Sequence, residues 1–159
     1  MIRSLCLVAL AFSPAFAGEP APLAAVGRLD LAGDAACSGT LIAPDLVLTA
    51  GHCLTGGIGD TEITGALVTF VPGRSPGHPR PVPVIGRVAA VHPIYGFGIG
   101  PAAARLGFDF GLLRLAARVP PDAARPLPMG SLPEVGEDLF IAGYRAGAGQ
   151  VARQRRCEV

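Results

Sequence analysis

The sequence has no lysine and almost no net charge, and these two absences narrow the kinds of binding partner that the protein is expected to have. All 13 of its basic residues are arginines, and its formal net charge at pH 7 is +1. A balance this close to neutrality gives no reason to expect nucleic acid or an acidic surface as a partner. Because alanine, glycine and proline are abundant, we interpret the exclusive use of arginine as a coding bias and not as phosphate recognition.

A long helical pattern is also missing, and so is any internal repeat. The 22 glycines and 16 prolines interrupt every stretch that could carry an extended 3.6-residue periodicity. Short segments of strand character alternate with turn residues instead, which favours an all-β barrel or sandwich. The expected strands are Val26 to Leu31, Ser38 to Ile42, Leu46 to Thr49, Ile63 to Val71, Val84 to His92, Phe110 to Leu115, Asp138 to Tyr144 and Gln150 to Val159.

The first 17 residues have the pattern of a secretory signal peptide. Arg3 supplies the positive charge, Leu5 to Phe12 is a short apolar run, and Ala15-Phe16-Ala17 is a small-x-small cleavage site before Gly18. The apolar run is shorter than the roughly 20 residues that a spanning helix needs. We therefore expect a secreted or periplasmic protein without a stable membrane anchor, the alternative being an uncleaved anchor helix.

The most informative segment places a histidine beside a cysteine after a predicted strand pair. It runs from Cys37-Ser38-Gly39-Thr40-Leu41-Ile42 to Leu48-Thr49-Ala50-Gly51-His52-Cys53. This segment resembles the histidine region of the trypsin/chymotrypsin family of serine endopeptidases. The resemblance implies that His52 is a catalytic general base, held by a buried aspartate and acting on a serine nucleophile. One departure is Gly51, where the family usually has alanine, and the smaller residue predicts a less rigidly held imidazole.

The matching aspartate is Asp109, which opens the apolar segment Phe108-Asp109-Phe110-Gly111-Leu112-Leu113 and lies 57 residues after His52. The segment resembles the family's Asp-x-Ala-Leu-Leu motif, with Gly111 in the alanine position. A carboxylate at the start of an apolar strand is costly to bury unless it is paired, and His52 would supply the partner. A strand-capping Asp in a turn is the alternative. His92-Pro93-Ile94-Tyr95 resembles a stretch that often precedes this aspartate, and we assign it no chemistry.

The cysteines and histidines do not form a repeated metal-ligand pattern, so we expect no metal and no cofactor. Cys6 lies within the signal segment and is discounted. By the resemblance, and because an exported chain meets an oxidising compartment, we expect Cys37 and Cys53 to form a disulfide. Cys157 is then unpaired, and its expected partner is a missing C-terminal half or another molecule.

The serine nucleophile of the family has no counterpart in the sequence. After residue 17 the serines are Ser38, Ser75 and Ser131, and none of them lies in a glycine-rich turn that could form an oxyanion hole. The resemblance therefore covers the N-terminal part of the family fold only, from about Val26 to Val159, and the chain alone is expected to be inactive. The expected function is an exported serine endopeptidase acting on proteins or peptides; the alternative is a non-catalytic trypsin-like binding module.

The resemblance also divides the chain. It implies a trypsin-like double β-barrel, in which residues 18–120 form a nearly complete first barrel with the His/Asp half-site. Residues 121–134 are expected to be a proline-rich connector, and residues 135–159 the start of a truncated second barrel. Two predicted strands cannot close a barrel by themselves.

Overall fold

A closed six-stranded barrel is the main feature of the computed structural model, which describes residues 22–31, 36–55, 67–73, 82–96, 101–144 and 153–158. All strand pairs in the barrel are antiparallel, and its order is β1-β2-β3-β6-β5-β4, with β4 pairing back onto β1. The expectation of an all-β fold with a first barrel is confirmed. Its strands are β1 Val26–Asp30, β2 Ala36–Ala43, β3 Leu46–Thr49, β4 Val68–Val71, β5 Val84–Val91 and β6 Gly111–Leu115.

The hairpin of β2 and β3 forms around the turn that the sequence predicts. Pro44 and Asp45 occupy this turn, where proline fixes φ and aspartate tolerates a tight bend. The register pairs Gly39 with Thr49, and a bulge lies between Leu41 and Ala43. β2 is longer than predicted because its pairing with β1 extends to Ala36. The second strand of the hairpin, β3, thus ends directly before the turn that contains His52.

The barrel interior is filled by one apolar cluster. Strand alternation explains it, because every second side chain of a strand points to the same face. In β6, for example, Gly111, Leu113 and Leu115 are buried while Arg114 is exposed. The largest side chains with less than 2% exposure are Phe70, Leu29, Leu41, Leu54, Leu113, Val47 and Val68.

The connection from β5 to β6 contains short helical turns that the sequence does not predict. They are α1 Pro93–Gly96, α2 Ala102–Arg105 and a 3₁₀ turn at Leu106–Phe108. Further 3₁₀ turns occupy Pro22–Ala25 and Gly51–Cys53, and the second lies within Ala50 to Leu54, where the sequence predicts one helical turn. A helix of four residues is too short to show a 3.6-residue pattern, so these turns give no periodic signal. Among the helices in the described ranges, none has the length and apolar character to cross a membrane.

The chain after β6, including the start of the proline-rich connector, packs against the barrel. Val119 and Ala124 are buried, and the Leu127 amide donates to the Leu41 carbonyl at 2.9 Å. Further along, Leu132 is 93% exposed. The connector therefore begins as part of the barrel surface and leaves it only after about Leu127.

The last described element is a two-stranded antiparallel sheet. It comprises β7 Asp138–Gly143 and β8 Arg153–Glu158, with Leu139 opposite Cys157. Both strands were expected, and residues 150–152 and 159 of the second predicted segment lie outside the described residues. The expected signal peptide at residues 1–17 and the residues 63–66 of the predicted fourth strand lie outside the described residues, as do Ser75 and His78.

Candidate active site

His52 lies in the one-turn helix that follows β3. The extended backbone of Ala50 ends the strand, and the Cys53 and Leu54 amides then donate to the carbonyls of Ala50 and Gly51 at 3.1 and 2.8 Å. These bonds close a tight turn around the histidine. The imidazole is consequently carried by backbone that is hydrogen-bonded on both sides of it.

Asp109 reaches the same end of the barrel from the other direction. It precedes β6, which pairs with β3 so that Thr49 faces Gly111. Since the strands are antiparallel, the residues that follow β3 and the residues that precede β6 lie at the same end of the strand pair. The pairing of the two strands is therefore what brings together two residues 57 positions apart.

Both carboxylate oxygens of Asp109 contact His52, one at its ring and one at its backbone. Asp109 Oδ2 lies 2.7 Å from His52 Nδ1, and the His52 backbone N–H donates to Asp109 Oδ1 at 2.8 Å. A carboxylate accepts hydrogen bonds, so this geometry favours the tautomer with hydrogen on Nδ1 and leaves Nε2 free to accept a proton. The Asp109 side chain is 17% exposed and the His52 side chain 53% exposed. The arrangement thus has a shielded carboxylate behind an accessible base.

A disulfide fastens the histidine turn to β2. It joins Cys37 and Cys53, the pair expected from the sequence, with their Cα atoms 6.2 Å apart. Each of Cys37, His52 and Cys53 has an atom that could ligate a metal ion, and these three atoms lie within 4.8 Å of one another. Because both sulfurs are bonded to each other, only the imidazole is left as a metal ligand, and a zinc site needs at least three.

Gly51 has a packing reason to be glycine. A Cβ there would lie 2.9 Å from Cδ1 of Tyr95 and 3.2 Å from Oδ1 of Asp109. The Tyr95 ring is buried, so it cannot readily move aside to admit a methyl group. Burial, and then the nearby Asp109 carboxylate, raise the pKa of Tyr95 above its ordinary value. Tyr95 therefore occupies the space that an alanine side chain would take, directly behind the His/Asp pair.

His92 contacts the residues on both sides of Asp109. Its ring stacks on Phe108 with centroids 4.8 Å apart and meets Phe110 at 4.9 Å. Its backbone N–H donates to the Phe110 carbonyl at 3.1 Å. The sequence analysis assigned this histidine no chemistry. The two phenylalanines on either side of Asp109 were the sequence feature from which an aromatic contact could have been expected.

The described serines have surroundings unlike those of a nucleophile. The Ser38 hydroxyl accepts from the Tyr144 amide at 2.6 Å and donates to the Tyr144 carbonyl at 3.2 Å. Gly143 leaves room for it, because a Cβ there would lie 2.8 Å from the Ser38 oxygen. Ser131 is exposed in the connector. Ser38 therefore fastens β7 to the barrel, a role that sequence reasoning missed.

A family model described as "Trypsin-like peptidase domain" matches residues 37–157. This range is most of the chain and includes both half-site residues. The chain belongs to the trypsin-like peptidase family. Among curated proteins, none matches the sequence.

Solved structures of similar fold include a Glu endopeptidase and mouse neuropsin, a serine protease expressed in the limbic system of the brain. The first superimposes with a TM-score of 0.59 at 19% identity, and the match covers 88% of this chain. The second gives a TM-score of 0.56 at 19% identity over 86% of this chain. The chain spans 64% and 60% of their respective lengths. The predicted fold class is confirmed: the fold is consistent with a truncated trypsin-like double barrel, in which a closed six-stranded barrel precedes a two-stranded sheet.

Proposed function

We propose that this trypsin-like chain supplies the acid–base half of an exported serine endopeptidase. The observation that carries the proposal is the 2.7 Å contact between Asp109 Oδ2 and Nδ1 of an imidazole that stays half exposed. In the proposed role, His52 is the catalytic base and Asp109 orients it. Protein or peptide substrates are the class that the family suggests.

The chemistry that this half-site could perform is proton transfer. With Nδ1–H held by Asp109, Nε2 of His52 would accept the proton of a serine hydroxyl as that hydroxyl attacks a peptide carbonyl. The same Nε2–H would then protonate the leaving amine. Asp109 would stabilise the imidazolium that exists between the two steps. General-base assistance of this kind typically contributes about 10²–10⁴-fold to a rate.

The nucleophile and its oxyanion hole are proposed to come from residues that follow Val159. The family order is His, Asp, then Ser, and the expected partner of Cys157 would belong to the same missing half. The outward-facing apolar residues Leu132, Val135 and Ile141 are 93%, 92% and 60% exposed, which fits a surface that further strands would cover. Export to the periplasm or the outside is proposed from residues 1–17.

Reading the codons that follow Val159 tests this proposal first. We expect a Gly-Asp-Ser-Gly segment downstream in the same frame. A chain extended through that segment should react with a fluorophosphonate probe and hydrolyse peptides, while its His52→Ala variant should lose both activities. Arg87→Ala is the control, because Arg87 is an exposed residue of β5 and should leave both unchanged.

The 159-residue chain by itself should neither react with the probe nor turn over peptides. Stoichiometric labelling of that chain, lost in His52→Ala, would show that a serine within it is the nucleophile. A stop codon directly after Val159, with no second reading frame, would contradict the proposal and favour a non-catalytic binding module.

A further inference from the structure

We propose that His92 is a positioning residue that fixes the direction of the Asp109 carboxylate through Phe108 and Phe110. The inference rests on the proposed function only in that Asp109 orients His52. It concerns a residue outside the His/Asp pair, placed by the connection between β5 and β6.

Asp109 is the central residue of a tight three-residue turn. Its φ and ψ are −77° and 66°, and the Phe110 amide donates to the Phe108 carbonyl at 2.8 Å. These values are those of an inverse γ-turn, which is closed by one hydrogen bond between its first and third residues. Such a turn aims the central side chain outward from its tip. The direction of the Asp109 carboxylate therefore depends on the placement of Phe108 and Phe110.

His92 holds both of these residues at once. Its ring stacks on Phe108 at an interplanar angle of 23° and meets Phe110 at a tilted 58°. Aromatic pairs at such separations attract each other beyond the effect of the apolar area that they bury. The His92 amide adds a backbone hydrogen bond to Phe110. One residue thus restrains the first and third residues of the turn while leaving the central carboxylate free to face His52.

The His92 ring is itself restrained. The Ile94 N–H donates to its Nδ1 at 3.3 Å, and the Tyr95 N–H donates to its carbonyl at 3.0 Å. These bonds belong to the start of α1, so the ring is tied to the element that also carries the buried Tyr95. The contacts run from α1 through His92 to the γ-turn and end at the carboxylate that contacts His52.

The experiment measures the hydrogen exchange rate of the His52 Nδ1–H by NMR in the 159-residue chain. His92→Leu keeps the volume but removes the aromatic face, and we expect exchange about tenfold faster, as for partial loss of a charge-assisted hydrogen bond. His92→Phe keeps the aromatic face and should stay within about twofold of the parent. Val119→Ala is the stability control, because it removes a buried side chain from a segment that follows β6.

A purely structural role for His92 predicts a different pattern. In that case His92→Leu and Val119→Ala would both lower the melting temperature, and neither would change the exchange rate of the His52 Nδ1–H. That result would overturn the proposal, and so would a His92→Phe chain that exchanges as fast as His92→Leu. Asp109→Asn distinguishes a failure of the proposed function from a failure of the positioning role. If it leaves the His52 Nδ1–H unaffected, the proposed function fails; if it removes that signal while His92→Leu does not change it, only the positioning role fails.

Discussion

The barrel and the β7–β8 hairpin differ in how completely their strands are paired. Every barrel strand has a neighbour on each side, whereas β7 and β8 pair only with each other in the described part of the chain. The barrel surrounds Phe70 and Leu113, both fully buried, but Ile141 of β7 is 60% exposed. A two-stranded hairpin is at best marginally stable in water. The stability of the described chain is therefore concentrated in the barrel.

The His/Asp pair belongs to the better-paired region. The elements that carry its two residues follow β3 and precede β6, which are neighbours in the closed barrel. The hairpin is fastened to this region at Ser38, whose hydroxyl bonds both backbone groups of Tyr144. Both residues of the pair and the strands that place them thus belong to the barrel, while the hairpin depends on a barrel residue for its placement.

The largest effect is expected from emptying the barrel core. Phe70→Ala should lower the free energy of unfolding by about 3–5 kcal/mol, because it removes a fully buried ring and leaves a cavity. Leu132→Ser, at the exposed end of the connector, should change it by less than about 0.5 kcal/mol. Urea denaturation monitored by circular dichroism compares the two. Similar losses in both variants would mean that the exposed connector contributes to the fold as much as the barrel does.

The second effect concerns the disulfide at the histidine turn. Replacing Cys37 and Cys53 together by serine should lower the free energy of unfolding by about 3 kcal/mol, because the unfolded chain regains the freedom of the closed loop. Cys157→Ser is the control from the hairpin and should have a much smaller effect. Non-reducing peptide mapping should find the Cys37–Cys53 bond. A disulfide from either of these cysteines to Cys157 would link the barrel to the hairpin and would contradict the assignment of the disulfide to the barrel alone.

The smallest effect is expected at the contact between the regions. Ser38→Ala removes both hydrogen bonds to Tyr144, each worth about 1 kcal/mol, so the Tyr144 amide should exchange about fivefold faster or more. The amide of Leu113, within β6, should be unaffected. Ser131→Ala, at an exposed serine of the connector, is the matched control. An unchanged Tyr144 amide would show that something other than Ser38 holds the hairpin.

Local sequence signals predicted the strands better than the connections. The β2–β3 hairpin is found where alternation and Pro44-Asp45 placed it, and β5 ends one residue before the predicted His92. The closure of the barrel could not be read from alternation, because a period of two gives the buried face of a strand but not its neighbour. The short helices α1 and α2 have no periodic signal, because four residues are too few to show a 3.6-residue pattern.

The site was only partly predictable as well. His52 and Asp109 stand in motifs that can be recognised in the sequence, and the structure brings them together. The contacts behind them could not be predicted in this way. Tyr95 filling the space beside Gly51, and His92 seated against Phe108 and Phe110, depend on tertiary packing between segments that meet only in the fold. Gly51 itself was expected to loosen the turn, whereas the structure encloses it.

The most direct test of the central claim is a ¹⁵N NMR measurement of the His52 ring in the 159-residue chain and in Asp109→Asn. If the pair forms within the barrel alone, the parent spectrum will show the tautomer with hydrogen on Nδ1, because Asp109 accepts it at 2.7 Å. In Asp109→Asn the carboxylate is lost and this preference should weaken or reverse. The same ring-nitrogen shifts in both chains would show that Asp109 is not the partner of His52, and would contradict the account.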